Sequence, residues 1–187
     1  MKNKINIFLI IVLVALIWIS VGCDNGGTIS NEYFSIKFPS GWKEIDESQF
    51  EEVGKKMGNQ PGIKFTSIQF FGIKILKTGM NPKSKFYFYN TKNPFHVLRV
   101  DIYEGSDSVK DIAPYIMGTD DYNGTFRKIN GKNFFLNGTF DADKSYYECE
   151  ICSVASTDKY IYTFHIDTSG KGVETGPKIM KSIKLKK

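Results

Sequence analysis

Hydrophobic positions are spread unevenly along the chain. Ile5 to Ile19 is almost wholly apolar, whereas from Tyr33 onward apolar and polar residues alternate in short runs separated by Gly, Pro, Asn and Asp. Alternation with a period of two predicts half-buried strands. Tyr33 to Phe38 reads as the first, ended by Pro39-Ser40-Gly41 ahead of Trp42. Asp46 to Gly58 predicts a helix: Phe50, Val53 and Met57 recur at three and four, acids lead, Lys55 and Lys56 trail, and Gly58 closes. Ile63 to Leu76, rich in β-branched and aromatic residues, predicts one long strand or two broken at Gly72. Lys85 to Tyr89 and Phe95 to Tyr103 follow as strands around a turn at Asn90 to Pro94. Ser106 or Asp107 is placed to cap a helix carrying Val109, Ile112 and Ile116 on one face, its regularity limited by Pro114.

The strongest local signal is Asn130-Gly131 between the runs Thr125 to Ile129 and Lys132 to Thr139. Both residues tolerate positive φ, as a type I′ hairpin turn requires. Tyr146 to Ser156 and Lys159 to Asp167 extend the pattern into an antiparallel meander. After a break at Ser169 to Gly172, Thr175 or Gly176 starts a final helix with Pro177 in its first turn and Ile179, Met180 and Ile183 facing inward. Strands joined by tight turns, with helices early, midway and last, predict an α/β fold of the α+β type: a mostly antiparallel sheet flanked by helices.

The apolar run at the start changes the picture of where this domain works. Lys2 and Lys4 precede it and Ile19-Ser20-Val21-Gly22-Cys23 follows, the organisation of an export signal that ends in a lipidatable cysteine. The junction is similar to the lipobox of prokaryotic lipoproteins, in which the cysteine receives a diacylglycerol and becomes the mature N-terminus; Ser20 stands where that pattern prefers leucine. The alternative is an uncleaved anchor, because Ile5 to Gly22 is uncharged and about 20 residues span a bilayer as a helix. On either reading the body faces away from the cytoplasm. The chain then divides into a signal segment 1–22, a lipidated N-terminus and flexible tether 23–31, and a domain 32–187.

Removing the signal leaves about 165 residues, enough for one domain with its own core. The formal charge of +5 falls to about +3 with Lys2 and Lys4 gone, too mild to point to nucleic acid. Lysines gather at the end (Lys178, Lys181, Lys184, Lys186, Lys187), either as a solvated face or facing anionic headgroups.

With Cys23 lipidated, Cys149 and Cys152 remain as a pair. An oxidising exterior permits a disulfide, yet residues three apart on a strand point to opposite faces, so a bridge needs a bulge or turn. The same spacing, with His165 downstream, is that of a redox pair or half a zinc site, although a second downstream histidine is missing. His96 and His165 lie in strand-like runs with no nucleophile motif beside them. Gly170 to Gly176 imitates a dinucleotide turn with its third glycine one residue late, and Thr119 to Asn130 imitates a calcium loop lacking its first and last acids. Asn123-Gly124-Thr125 and Asn137-Gly138-Thr139 are glycosylation sequons or ordinary turn sequences, with Asn123 and Asn137 as acceptors. No familiar hydrolase, phosphate-loop or metalloprotease signature occurs.

Tyr33-Phe34-Ser35-Ile36-Lys37-Phe38-Pro39-Ser40-Gly41-Trp42 resembles the opening strand and turn of PsbP-like proteins. At the far end, Tyr160 to Phe164 followed by Ile179-Met180-Lys181-Ser182-Ile183 is similar to that family's last strand and closing helix with its serine. The family includes an extrinsic photosystem II subunit, a Ran-binding nuclear import factor and many prokaryotic lipoproteins. The resemblance implies an α/β/α sandwich over roughly Asn31 to Lys184 and a non-enzymatic binding or accessory role; no functional residues carry over.

Together these readings predict a lipid-anchored, extracytoplasmic cell-envelope protein. It carries an acyl lipid on Cys23, has no other cofactor, and partners the membrane and another envelope component. Two alternatives stand beside it: a surface hydrolase or thiol redox enzyme using Cys149, Cys152 or His165, and a divalent-cation-binding module.

Overall fold

The computed structural model describes residues 26–50, 81–117, 124–138, 148–170 and 172–186. In chain order these form β1 (Gly27–Ser30), β2 (Phe34–Phe38), β3 (Trp42–Ile45), a 3-10 turn (Glu47–Gln49), β4 (Ser84–Asn90) and β5 (Asn93–Glu104). Then come α1 (Val109–Met117), β6 (Thr125–Ile129), β7 (Lys132–Gly138), β8 (Glu148–Ser156), β9 (Tyr160–Ser169), α2 (Thr175–Ser182) and β10 (Lys184–Leu185). Seven strands make one sheet in the order β3-β4-β5-β9-β8-β7-β6, and a small sheet has the order β1-β2-β10. Every pairing is antiparallel.

The period-two alternation decides which face each strand residue covers. Leu98, Val100 and Ile102 of β5, Tyr162, Phe164 and Ile166 of β9 and Cys149 and Ile151 of β8 form one apolar face, all but fully buried. The small sheet closes over it with Phe34, Ile36 and Phe38, while α2 adds Ile179 and Met180. Burying an aromatic or large aliphatic side chain stabilises by about 1.5–3 kcal/mol, so this single cluster is the main support of the fold. Gly176 lets α2 lie close to the sheet, since a Cβ there would stand 3.0 Å from Thr168 Oγ1 and 3.2 Å from Cys149 Sγ.

The opposite face carries α1, where Ile112 packs with Tyr103, Val154 and Ile161 and where Val109 and Ala113 pack on Phe135. Helices on both faces give the layered arrangement expected from the sequence. The capping residue is Ser108, one position beyond Asp107: its hydroxyl donates to the Asp111 carboxylate at 2.6 Å, and the Ile112 N–H donates to its carbonyl. Asn130 (φ +47) and Gly131 (φ +84) make the expected hairpin turn between β6 and β7.

Three short strands depart from the expectations. The flexible tether expected over residues 24–31 is a strand from Gly27 onward, because Ile29 packs on the core opposite Ile36 and β1 pairs with Ser35 to Phe38 of β2. Trp42–Ile45 continues as β3 instead of leading directly to a helix, with Glu44 opposite Phe88. β10 follows α2 at the chain's end and pairs with Phe34 and Ser35. Of the helix expected over 46–58, Asp46 caps the 3-10 turn Glu47–Gln49, its side chain accepting from the Ser48 N–H and Gln49 closing a capping box. The remainder of that helix, the strand expected over 63–76, the signal segment with Cys23, and Asn123 lie outside the described residues. Among the described residues no helix is long and apolar enough to cross a membrane.

Candidate functional site

The face of the large sheet away from α2 holds a row of polar side chains flanked by apolar ones. Strand register generates it: Tyr87 of β4 stands opposite Arg99 of β5, Arg99 opposite His165 of β9, His165 opposite Cys152 of β8, and Cys152 opposite Asn137 of β7. Glu150 and Asp167, paired across β8 and β9, extend the same face.

At one end of the row Arg99 Nε donates to Asp101 Oδ1 at 3.0 Å and lies 2.8 Å from Oδ2. The guanidinium sits over the Tyr87 ring, 5.8 Å from its centroid, and the Tyr87 hydroxyl donates to Glu47. Asp101 is fully buried. Burial raises its pKa, against the pull of Arg99. Burial likewise opposes the Arg99 charge, but the Asp101 carboxylate outweighs it and holds the guanidinium above its ordinary value.

At the other end Cys152 Sγ lies 3.3 Å from His165 Nδ1, and Glu150 Oε1 lies 3.9 Å from the sulfur and 3.8 Å from His165 Nε2. The His165 side chain is only 4% exposed, whereas that of Glu150 is 63% exposed. Burial lowers the His165 pKa, reinforced by Arg99 and opposed by Glu150. The Cys152 thiol is pushed up to about 12, first by burial and then by the Glu150 and Asp167 charges. This is a protonated thiol beside a neutral imidazole, an arrangement for hydrogen bonding or for ligation, not a primed nucleophile.

The sequence grouped Cys149, Cys152 and His165; the structure separates the first from the other two. Cys149 faces the apolar core under α2, fully buried, and burial pushes its thiol up to about 11. β8 runs through both cysteines without the bulge or turn that a disulfide between them would need, and both are free thiols on opposite faces. The finger-type use of the Cys149–Cys152 pair fails for the same reason. His96 is a structural residue: buried, with Nε2 2.8 Å from the Ser169 carbonyl oxygen and Asn93 2.9 Å away.

The imitation motifs also find plain structural roles. Gly170 (φ +58) and Gly172 (φ +129) form the turn leading into α2. Of the calcium-like loop, residues 119–123 lie outside the described residues, while Thr125–Ile129 is strand and Asn130 is a turn residue. Asn137 is half-buried in β7, and Gly138 after it has φ +110 with a Cβ position only 2.0 Å from the Glu150 carbonyl oxygen. Backbone approach therefore accounts for the glycine of that sequon.

Glu150, Arg99, Asp101 and Asp167 were missed from the sequence. The available signal was the alternation itself: Arg99 and Asp101 interleave with Leu98, Val100 and Ile102, a pattern equally suited to a solvated face. What the pattern does not report is that this second face is also covered.

No protein-family model matches the chain, and no curated protein matches it. Among solved structures it is similar to the solution structure of cyanobacterial PsbP (CyanoP) from Synechocystis sp. PCC 6803. The TM-score is 0.51 at 14% identity, over 89% of this chain and 95% of that one. The fold is PsbP-like. A crystal structure from Bacteroides thetaiotaomicron VPI-5482 is also similar, with a TM-score of 0.51 at 12% identity over 87% of this chain; this chain spans 49% of that protein's length.

The two motifs that carried the PsbP-like resemblance have identifiable work in this fold. Gly41 takes φ +86, which turns the chain so that Trp42 stacks on Phe38 with centroids 5.3 Å apart in the core. Ser182 ends α2 by accepting the Lys37 N–H at 3.0 Å, with its hydroxyl 2.7 Å from the Ile179 carbonyl oxygen. One hydroxyl thus ties the closing helix to β2 across 145 residues of sequence.

Proposed function

We propose that this protein is a lipid-anchored, extracytoplasmic binding or accessory module of the cell envelope, displaying its PsbP-like domain against the membrane. The observation that carries the reading is the spacing between Cys23 and the domain. Only Asp24, Asn25 and Gly26 separate that cysteine from β1, so an anchor there holds the first strand within roughly 14 Å of the lipid attachment. A tether this short places the domain at the headgroups, where a partner would be an envelope component. Two acyl chains on Cys23 would provide stable anchoring where one chain is marginal.

The state of the thiols supports a binding role over thiol chemistry. A redox or nucleophilic cysteine needs a depressed pKa in an accessible setting, and both cysteines are shifted the other way, to about 11 and about 12. The deciding experiment is intact-mass spectrometry of the native protein extracted from membranes, beside fractionation of a Cys23→Ser variant. The expected result is a chain that begins at a lipid-modified Cys23, with the variant released or left unprocessed. A full-length unacylated chain, with the variant retained as the parent is, would replace the lipid anchor by an uncleaved membrane helix.

A further inference from the structure

We infer that Glu150, Cys152 and His165 form a binding site for one borderline-soft divalent transition-metal ion of the Zn²⁺ type, a function beyond membrane anchoring and independent of it. One ligand atom from each residue can be chosen so that all three lie within 4.8 Å of one another. A tetrahedral zinc ion with bonds of about 2.0–2.3 Å sets its ligand atoms roughly 3.3–3.8 Å apart. Cys152 Sγ to His165 Nδ1, at 3.3 Å, and Cys152 Sγ to Glu150 Oε1, at 3.9 Å, already stand near that spacing. Glu150 faces solvent with its side chain 63% exposed, so it can rotate onto the ion while His165 and Cys152 stay in place.

The backbone fixes this set with no help from a loop. Glu150 and Cys152 are two apart on β8, hence on one face, and His165 is the direct cross-strand partner of Cys152 on β9. Both strands are interior to the seven-stranded sheet. Nδ1 faces the sulfur while Nε2 stands 3.8 Å from Glu150 Oε1, so with Nδ1 as the ligand the Glu150 side chain swings from the Nε2 side toward the ion. Asp167, opposite Glu150, adds negative charge to the same face, and a water completes four-coordination.

The donor types choose the ion. A thiolate with an imidazole suits zinc, cobalt or copper and is a poor match for calcium or magnesium, which take oxygen ligands. Binding forms the metal–sulfur bond as the Cys152 S–H bond breaks, releasing one proton to solvent with no change of oxidation state. Without an ion the same geometry serves as a thiol-to-imidazole hydrogen bond. Cys149, on the far face, takes no part.

The test is titration of the reduced, chelator-treated full-length chain in detergent with Co²⁺, followed by displacement with Zn²⁺. The expected result is one Co²⁺ per chain with a thiolate-to-cobalt charge-transfer absorption, displaced by Zn²⁺. Cys152→Ser should abolish the absorption, and Cys149→Ser should leave it intact. Glu150→Gln, at an exposed position that does not threaten folding, should weaken binding by roughly tenfold or more, since losing even an outer partner of a metal ligand costs about 10–100-fold. Absence of a thiolate band in the parent chain, or Co²⁺ affinity unchanged in Glu150→Gln, would overturn the site even if Cys152→Ser fails to fold. Neither result bears on where the protein is anchored.

Discussion

The buried pair formed by Arg99 and Asp101 makes each of its members a large single-residue liability. Its two charges are held by each other and by the Tyr87 ring inside a sheet face from which water is nearly excluded: Asp101 is fully buried and the Arg99 side chain 12% exposed. Removing one member of such a pair strands the other in low dielectric, whereas removing both is close to neutral. Asp101→Leu should therefore lower stability by about 3–5 kcal/mol, and the double change Arg99→Met with Asp101→Leu should recover most of it. Urea unfolding of the three chains checks this; equal loss in the single and double variants would sink the argument. The pH dependence has a definite sign. The folded Asp101 carboxyl titrates above its ordinary value because of burial, so the folded chain holds this proton more tightly than the unfolded one. The group's contribution to stability is largest below the unfolded value and declines as pH rises through the folded one, opposite to a carboxylate whose pKa is depressed. In the double variant that acid-side gain should vanish.

Elements with a complete local signal were legible, and those defined by distant pairing were not. Asn130-Gly131 announced the β6–β7 hairpin, because only residues that tolerate positive φ fit its turn. Pro177 and the Ile179, Met180, Ile183 spacing announced α2. β1 escaped because Gly-Thr-Ile-Ser carries one apolar residue and gains its strand identity only from β2, and β10 escaped because it is two residues long. The polar row was half legible. Cys152 and His165 stand out as residue types and Glu150 shares the Cys152 face by period-two spacing on β8, but the pairing of Cys152 with His165 and of His165 with Arg99 follows from cross-strand register, which no local pattern contains. The hairpin also does more than turn. The Asn130 side-chain amide donates to the Lys181 carbonyl at 3.1 Å and the Ile183 carbonyl at 2.7 Å, capping the C-terminal end of α2 from another element. Asn130→Gly keeps the turn's backbone freedom and removes only those bonds. It should cost about 1–2 kcal/mol in thermal or urea unfolding, the worth of two partly exposed hydrogen bonds less the ease of glycine in the turn. An unchanged midpoint would show that the cap contributes nothing to α2.

At the scale of the molecule, the small sheet is what joins the two ends of the domain. β2 pairs with β1 on one side and β10 on the other, so residues 27–38 and 183–186 meet on the same flank of the core. The final residues are held by more than the two-residue ladder. The Lys186 N–H donates to the Tyr33 carbonyl at 2.7 Å, and the Tyr162 hydroxyl donates to the Lys186 carbonyl at 3.1 Å. Such contacts close a loop of about the whole domain, which costs entropy before any of them forms and places them late in folding. It also means their loss exposes Phe34 and Tyr162, both fully buried, instead of a dispensable tail. Deleting Lys184 to Lys187 should therefore lower stability by roughly 2–4 kcal/mol, in the range of large core perturbations, and act mainly by speeding unfolding. Stopped-flow urea kinetics separates the cases. A deletion that leaves both rates unchanged would mean the two ends are held by β1 and β2 alone, whereas slowed refolding with unfolding unaltered would place the joining of the ends early, contrary to the loop-closure argument.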